Sequence, residues 1–104
     1  MNQPQPAAPT VPAAVGALKR SLVIANKRGL HARAAAKFVR TAGQFDAAVR
    51  VGFKGEDVSG LSIMGLMMLA AGIGSTVDLT CSGPQAGEAM AALSALIEGK
   101  FGED

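Results

Sequence analysis

The sequence lacks tryptophan and tyrosine, and it has a single cysteine, Cys81, and a single histidine, His31. One cysteine cannot form a disulfide within the chain, and one cysteine with one histidine cannot supply the four ligands of a structural zinc site. No apolar run is long enough to span a bilayer, and the first residues lack the basic start and apolar stretch of a signal peptide. We therefore expect a reduced cytoplasmic protein with no membrane insertion, no metal and no organic cofactor.

Acidic residues are nearly absent from the first half of the chain, where Asp46 is the only one before Val51. The same stretch carries eight cations, which are Lys19, Arg20, Lys27, Arg28, Arg33, Lys37, Arg40 and Arg50. This asymmetry predicts a positive field suited to an anionic ligand or an acidic partner surface. A solvated basic face without a partner is the alternative, and charge alone does not separate the two.

The first residues also differ in composition from the rest. Residues 1–17 hold all but one of the five prolines and no charged residue. This composition is typical of a flexible extension. We therefore expect residues 18–104 to form one domain.

Hydrophobic spacing predicts four strands and three helices in the order βαββαβα. The predicted strands cover residues 21–25, 48–54, 57–60 and 76–81. The predicted helices run from Ala32 to Gly43, from Ile63 to Ala70 with Ser62 as N-cap, and onward from Ser82-Gly83-Pro84. The fold class is therefore α+β, with an antiparallel sheet that carries its helices on one face. Cys81 is expected to be a small buried residue on the last strand.

His31 follows a glycine-containing turn over residues 26–29 and immediately precedes the first helix. The first backbone N–H groups of a helix have no partner inside it, and the helix dipole adds partial positive charge, so this position forms an anion site. The helix end and the cationic Arg33 both disfavour the imidazolium, which favours a neutral, nucleophilic ring. A phosphoryl group on His31 would meet the N–H groups of Ala32 and Arg33 and the Arg33 guanidinium. The alternative is that His31 only caps the helix.

Two segments carry a family resemblance. Residues 29–39, Gly-Leu-His-Ala-Arg-Ala-Ala-Ala-Lys-Phe-Val, closely resemble the active-site signature of HPr, the histidine-containing phosphocarrier of the bacterial phosphoenolpyruvate-dependent phosphotransferase system. Residues 62–69, Ser-Ile-Met-Gly-Leu-Met-Met-Leu, resemble the regulatory-serine helix of that family. The resemblance spans about residues 19–100. It implies an open-faced β-sandwich, a four-stranded antiparallel sheet with three helices on one face.

The resemblance also implies a role for each matched residue. His31 would accept phosphate on Nδ1 from phosphorylated enzyme I and pass it to an enzyme IIA-type domain, with Arg33 stabilising the phosphate. Ser62 would be phosphorylated by HPr kinase/phosphorylase. The chain would be a carrier and not itself an enzyme, and we expect a monomer that serves sugar transport or the related nitrogen branch.

Two positions depart from the family pattern. Ala34 stands where proline usually follows the active-site arginine, so the first turn loses some rigidity but gains an N–H group. We expect that extra N–H to be available to the phosphoryl group. Leu61 stands where members with the serine switch often carry lysine, which bears on recognition by the kinase.

The second predicted helix is apolar nearly all round, and one helix on one sheet face cannot bury every side. Leu66 and Leu69 are expected in the core. Ile63, Met64 and Met67 are expected to form an exposed surface for docking partners, because methionine adapts to different surfaces. Core packing of the whole helix is the alternative.

Two other functions remain open at this point. The first is a mainly regulatory role, in which phosphorylation of His31 and Ser62 signals to other proteins without sugar transport. The second is a small basic nucleic-acid-binding module that uses the same face. The lack of an aromatic platform for stacking bases argues against the second, so we expect no nucleic acid as partner.

Overall fold

The computed structural model describes residues 17–103. The predicted flexibility of residues 1–17 therefore lies outside the described residues, except for Ala17. The elements are β1 (Leu18–Val23), α1 (Ala32–Ala42), β2 (Ala48–Phe53), β3 (Glu56–Ser59), α2 (Ile63–Met68), β4 (Thr76–Ser82), α3 (Ala86–Glu98) and a short 3-10 helix (Lys100–Gly102). No helix within residues 17–103 is long and apolar enough to cross a membrane.

The four strands form one antiparallel sheet in the order β1-β4-β2-β3. Alternate residues point to one face, where they pack with the three helices into a single core that includes Leu22, Val51 and Leu79. The other face is open and polar, and Ser21 there donates a hydrogen bond to Asp78 at 2.7 Å. This arrangement confirms the predicted α+β fold, an open-faced β-sandwich.

The helices bury residues that recur at helical spacing. In α1, Ala35, Phe38 and Ala42 are buried, and Val39 packs partly against the same cluster. In α3 the buried stripe includes Ala86, Met90, Leu93 and Ile97. Cys81 is fully buried, and burial raises the pKa of its thiol.

Strand β1 runs from Leu18 to Val23 where residues 21–25 were predicted. The other boundary errors lie where backbone geometry outweighs hydrophobic pattern. The turn between β2 and β3 is Lys54-Gly55, with positive φ at both residues, so β2 ends at Phe53 and β3 begins at Glu56, each earlier than predicted. Helix α3 begins at Ala86 and not at Ser82, because Gly83 adopts a φ of 108° that no helix continues. The 3-10 helix at Lys100–Gly102 was not predicted.

Candidate functional site

The loop before α1 is fixed by Gly29. Its φ is 65°, and a Cβ at this position would lie 2.4 Å from the carbonyl oxygen of Ala71, so only glycine fits without rearrangement. The next residue, Leu30, is buried and donates its N–H to the same oxygen at 3.0 Å. The loop is therefore held against the segment that follows α2, and this contact sets where His31 emerges.

His31 is the N-cap residue of α1, as predicted. Its backbone is extended, with φ −74° and ψ 178°, and its side chain makes no capping hydrogen bond. Its carbonyl oxygen accepts the N–H of Ala35 at 2.9 Å, which is the first bond of the helix. The amides of Ala32, Arg33 and Ala34 come before that bond and have no acceptor among residues 17–103. The site thus offers three backbone donors beside a partly exposed ring.

The imidazole has a partner that the sequence did not reveal. His31 Nε2 lies 2.5 Å from Glu103 Oε2, and both side chains are largely covered, at 20% and 16% exposure. The other carboxylate oxygen, Oε1, accepts a hydrogen bond from Nδ2 of the buried Asn26 at 3.0 Å. The hydrogen bonds from Asn26 and His31 hold the pKa of Glu103 below its ordinary value of 4.5, so the carboxylate stays charged at neutral pH.

This carboxylate adds a charge of opposite sign to the site. The helix end and Arg33, which are evident from the sequence, are positive, whereas Glu103 places an anion against Nε2. No local pattern signals this contact, since the two residues are 72 positions apart in the chain.

A basic cavity of about 420 Å³ opens beside the site. Its lining consists of Lys27, Arg28, Arg33, Lys37, Gly102 and Glu103. Four of the eight cations from the first half of the chain are therefore gathered in one place, as the charge asymmetry suggested. The cluster is suited to an anionic group. Arg33 itself is exposed and lies in the first turn of α1.

Helix α2 presents an apolar surface, which we call the α2 patch. Its exposed members are Leu61, Ile63, Met64, Met67 and Met68. The expected exposure of Ile63, Met64 and Met67 is therefore observed, as is the burial of Leu66 and Leu69, while Met68 is the most exposed of all, at 75%.

Ser62 is the N-cap of α2, as the sequence predicted. Its hydroxyl oxygen accepts the N–H of Gly65 at 2.9 Å. Ser62 stands at the beginning of α2, whereas the segment that contacts Gly29 follows the end of the helix. The structure shows no hydrogen bond between Ser62 and His31 among the described residues.

Comparison with known proteins now decides the family. Residues 18–99 match the model of the PTS HPr component phosphorylation site. The chain belongs to the HPr family. It is 56% identical to the phosphocarrier protein HPr of Cupriavidus necator over 86 residues, covering 83% of this chain and 97% of that protein. It is 54% identical to HPr of Neisseria meningitidis serogroup A with the same coverage.

A solved structure agrees with the fold. The crystal structure of HPr-C-His from Thermoanaerobacter tengcongensis matches with a TM-score of 0.80 and 44% identity, covering 84% of this chain and 98% of that one. The HPr-family assignment supports a phosphocarrier role in the phosphotransferase system.

Proposed function

We propose that this HPr-family protein carries a phosphoryl group on His31, accepting it from phosphorylated enzyme I and passing it to a histidine on an enzyme IIA-type domain. The observation that carries the proposal is the position of His31 as N-cap of α1, with a partly exposed ring beside three free amides. The carrier binds and releases the group but completes no reaction without its partners. Enzyme I and enzyme IIA-type domains are therefore its expected partners.

The chemistry follows from where charge develops. The Nδ1 lone pair attacks phosphorus as the bond between phosphorus and the phosphorylated group of enzyme I breaks. The phosphoryl oxygens then need hydrogen-bond donors. The amides of Ala32, Arg33 and Ala34 supply them at the positive end of the helix dipole. The Arg33 guanidinium adds a charge-assisted contact from the first turn.

Ala34 supplies an amide where the family usually has proline. Its side chain is fully buried, so the residue is well fixed although it lacks the ring. An Ala34→Pro variant removes this donor and should hydrolyse its phosphohistidine faster. If the phosphohistidine of this variant hydrolyses no faster than that of the wild type, the third amide has no role. Ala36→Pro is a poor control because a proline there would break α1. Ala32→Gly is used as the control, since it changes the same turn and keeps all three amides.

The α2 patch is the proposed docking surface, with Ile63, Met64 and Met67 as its centre. It combines large apolar exposure with a place next to the His31 loop. Exposed flexible methionines suit a surface that must meet a donor and an acceptor of different shape.

Ser62 is the proposed regulatory site, modified by HPr kinase/phosphorylase. A phosphate there would add negative charge beside the apolar α2 patch and hinder capture by enzyme I. Because its hydroxyl caps α2 through Gly65, the kinase would have to draw it away from that amide. The neighbouring Leu61 is exposed, so it is available for recognition but offers no positive charge.

One experiment tests the main proposal. The full chain is incubated with enzyme I, phosphoenolpyruvate and Mg²⁺, and its mass is measured with and without a IIA-type domain. We expect one acid-labile, base-stable phosphoryl group that is lost when the IIA domain is added, and none on a His31→Ala variant. Phosphorylation of His31→Ala to the wild-type level would rule out His31 as the acceptor. In a mainly regulatory role, His31 would be phosphorylated by the same reaction. The phosphoryl group would then remain on His31 when the IIA domain is added.

The nucleic-acid alternative gains nothing from the structure. The phenylalanines of the described chain are either buried, as Phe38 and Phe101 are, or half-buried against the core, as Phe45 and Phe53 are. None is placed as an exposed stacking platform in residues 17–103.

A further inference from the structure

We propose that Glu103 is a positioning residue that holds the His31 ring with its proton on Nε2 and thereby leaves Nδ1 free to accept the phosphoryl group. The inference deepens the proposed function and rests on it. It is carried by the way the C-terminal segment brings one carboxylate between His31 and Asn26.

The first observation is that each carboxylate oxygen has its own donor. Oε1 accepts from Asn26 Nδ2, and Oε2 faces His31 Nε2. Asn26 is itself fully buried, and its Nδ2 also donates to the carbonyl oxygen of Gly29 at 2.9 Å. Because a carboxylate has no proton to give, the ring nitrogen that faces it must be the protonated one. The hydrogen bond therefore selects the tautomer.

The second observation is strain in the segment that delivers Glu103. Lys100, Phe101 and Gly102 are three consecutive residues with positive φ, at 60°, 54° and 75°. Two of them are not glycine, and each such residue costs about 1–2 kcal/mol in this conformation. Strain of this kind persists only where the surroundings determine the conformation, and it concentrates at functional sites.

The third observation is how that turn is fastened. The Phe101 side chain is fully buried in the core, and its carbonyl oxygen accepts a hydrogen bond from Lys37 Nζ at 2.7 Å. Lys37 lies on α1, the helix that His31 caps. The C-terminal turn is thus fixed to the same helix that carries the reacting ring, and this contact holds Glu103 beside the ring.

The Glu103 carboxylate has a second effect, which is on the charge of the phosphorylated ring. Lys27, Arg28, Arg33 and Lys37 line the adjoining cavity and oppose positive charge on the imidazole, while Glu103 is the one anion in that lining. When Nδ1 bonds to phosphorus, the phosphorylated group of enzyme I keeps the electrons of the broken bond, and His31 loses no proton. The ring therefore becomes cationic, with Nε2–H directed at Glu103, so the carboxylate also stabilises the phosphorylated state.

The test uses a substitution that keeps the shape and changes the hydrogen bonding. In Glu103→Gln only the amide oxygen can accept, so it can serve either Asn26 or His31. If it stays with Asn26, the amide NH₂ faces Nε2 and favours the opposite tautomer. Glu98→Gln is the matched control, since it removes the same charge from the exposed pair with Arg20.

Two readouts are measured on the full chain. The first is the tautomer of neutral His31, from ¹⁵N chemical shifts of the ring without any partner present. The second is the rate of phosphorylation by enzyme I. We expect the wild type and Glu98→Gln to hold the proton on Nε2. We expect Glu103→Gln to gain the Nδ1-protonated form and to accept the group about tenfold more slowly.

The outcomes separate this inference from the proposed function. An unchanged tautomer and an unchanged rate in Glu103→Gln overturn the positioning role while His31 stays the acceptor. A slower rate with an unchanged tautomer also overturns it, because Glu103 would then act in another way. If the wild type accepts no phosphate, the proposed function fails, and the ring spectrum still decides whether Glu103 sets the tautomer.

Discussion

His31 depends on residues that are distant in the chain and adjacent in space. The ring, the amides that follow it and Arg33 all lie in one short segment at the start of a helix. Glu103 and Asn26 join them only once the C-terminal turn has folded against α1. The backbone of the segment therefore supplies the anion site, and distant side chains hold the ring.

Arg33 offers the first test at this scale. We expect Arg33→Ala to slow phosphorylation of His31 by about 10- to 100-fold, because one charge-assisted hydrogen bond is worth about 1.5–3 kcal/mol. Arg40→Ala removes the same charge from the last turn of the same helix and should change the rate little. The measurement is the initial rate with enzyme I and phosphoenolpyruvate. Equal slowing in both variants would mean that overall charge matters and the position of Arg33 does not.

The Glu103 carboxylate makes the site sensitive to acid. Its pKa lies below the ordinary 4.5 because Asn26 and His31 donate hydrogen bonds to it. A lowered pKa in the folded state means that the contact stabilises the protein above the ordinary value and that this contribution disappears as the pH falls through the lowered one. The side-chain amide resonances of Asn26 should therefore titrate with a midpoint below 4.5. A midpoint at or above that value would contradict the assigned contacts.

The elements were predicted better than the connections between them. Alternation and helical spacing located all four strands and three helices, because burial on one face imposes those periods. The failures fall on turns: Lys54-Gly55, the start of α3 after Gly83, and the strained 3-10 helix. These turns are set by positive φ angles and by tertiary contacts, and neither leaves a periodic pattern in the sequence. The site divides in the same way: His31, the amides that follow it and Arg33 lie in one segment and were predicted, whereas the contacts of Glu103 and Asn26 depend on the folded C-terminal turn.

The loop before α1 gives a test of how the site is positioned. Gly29→Ala should destabilise the protein by about 1–3 kcal/mol, because it combines a positive φ with a Cβ 2.4 Å from the Ala71 oxygen. Gly72→Ala is the control, since a Cβ there meets nothing within 4 Å. Urea unfolding of both variants gives the comparison. A similar loss of stability in the two would show that the close approach at Gly29 is unimportant.

The start of α2 allows capping and charge to be separated. Ser62→Ala removes the acceptor for the Gly65 amide and should lower the free energy of unfolding by about 1 kcal/mol. Ser62→Asp keeps an acceptor and should retain most of that stability, yet its charge beside the α2 patch should slow phosphorylation by enzyme I. Thermal or urea unfolding measures the first effect and transfer kinetics the second. An aspartate variant that is phosphorylated as fast as the wild type would argue against regulation through this surface.

Over the whole molecule, the sheet acts as a platform for one functional edge. The buried face of β1–β4 holds α1, and the loop after α2 and the C-terminal turn then close around the end of α1 where His31 lies. The basic cavity opens beside that end, and the segment that contacts the His31 loop directly follows the helix with the apolar α2 patch. The molecule thus combines the proposed phosphoryl acceptor, a positive field and an apolar contact surface. This combination suits a small carrier that must be recognised by more than one protein.

The central claim is that the end of α1 receives the phosphoryl group, and heteronuclear NMR of the phosphorylated full chain tests it most directly. Coupling between phosphorus and the ring nitrogens identifies the bonded atom, and the amide shifts report where the oxygens lie. The account predicts phosphorus on His31 Nδ1 together with large shifts of the Ala32, Arg33 and Ala34 amides. Phosphorus on Nε2, or unmoved amides at all three residues, would contradict it.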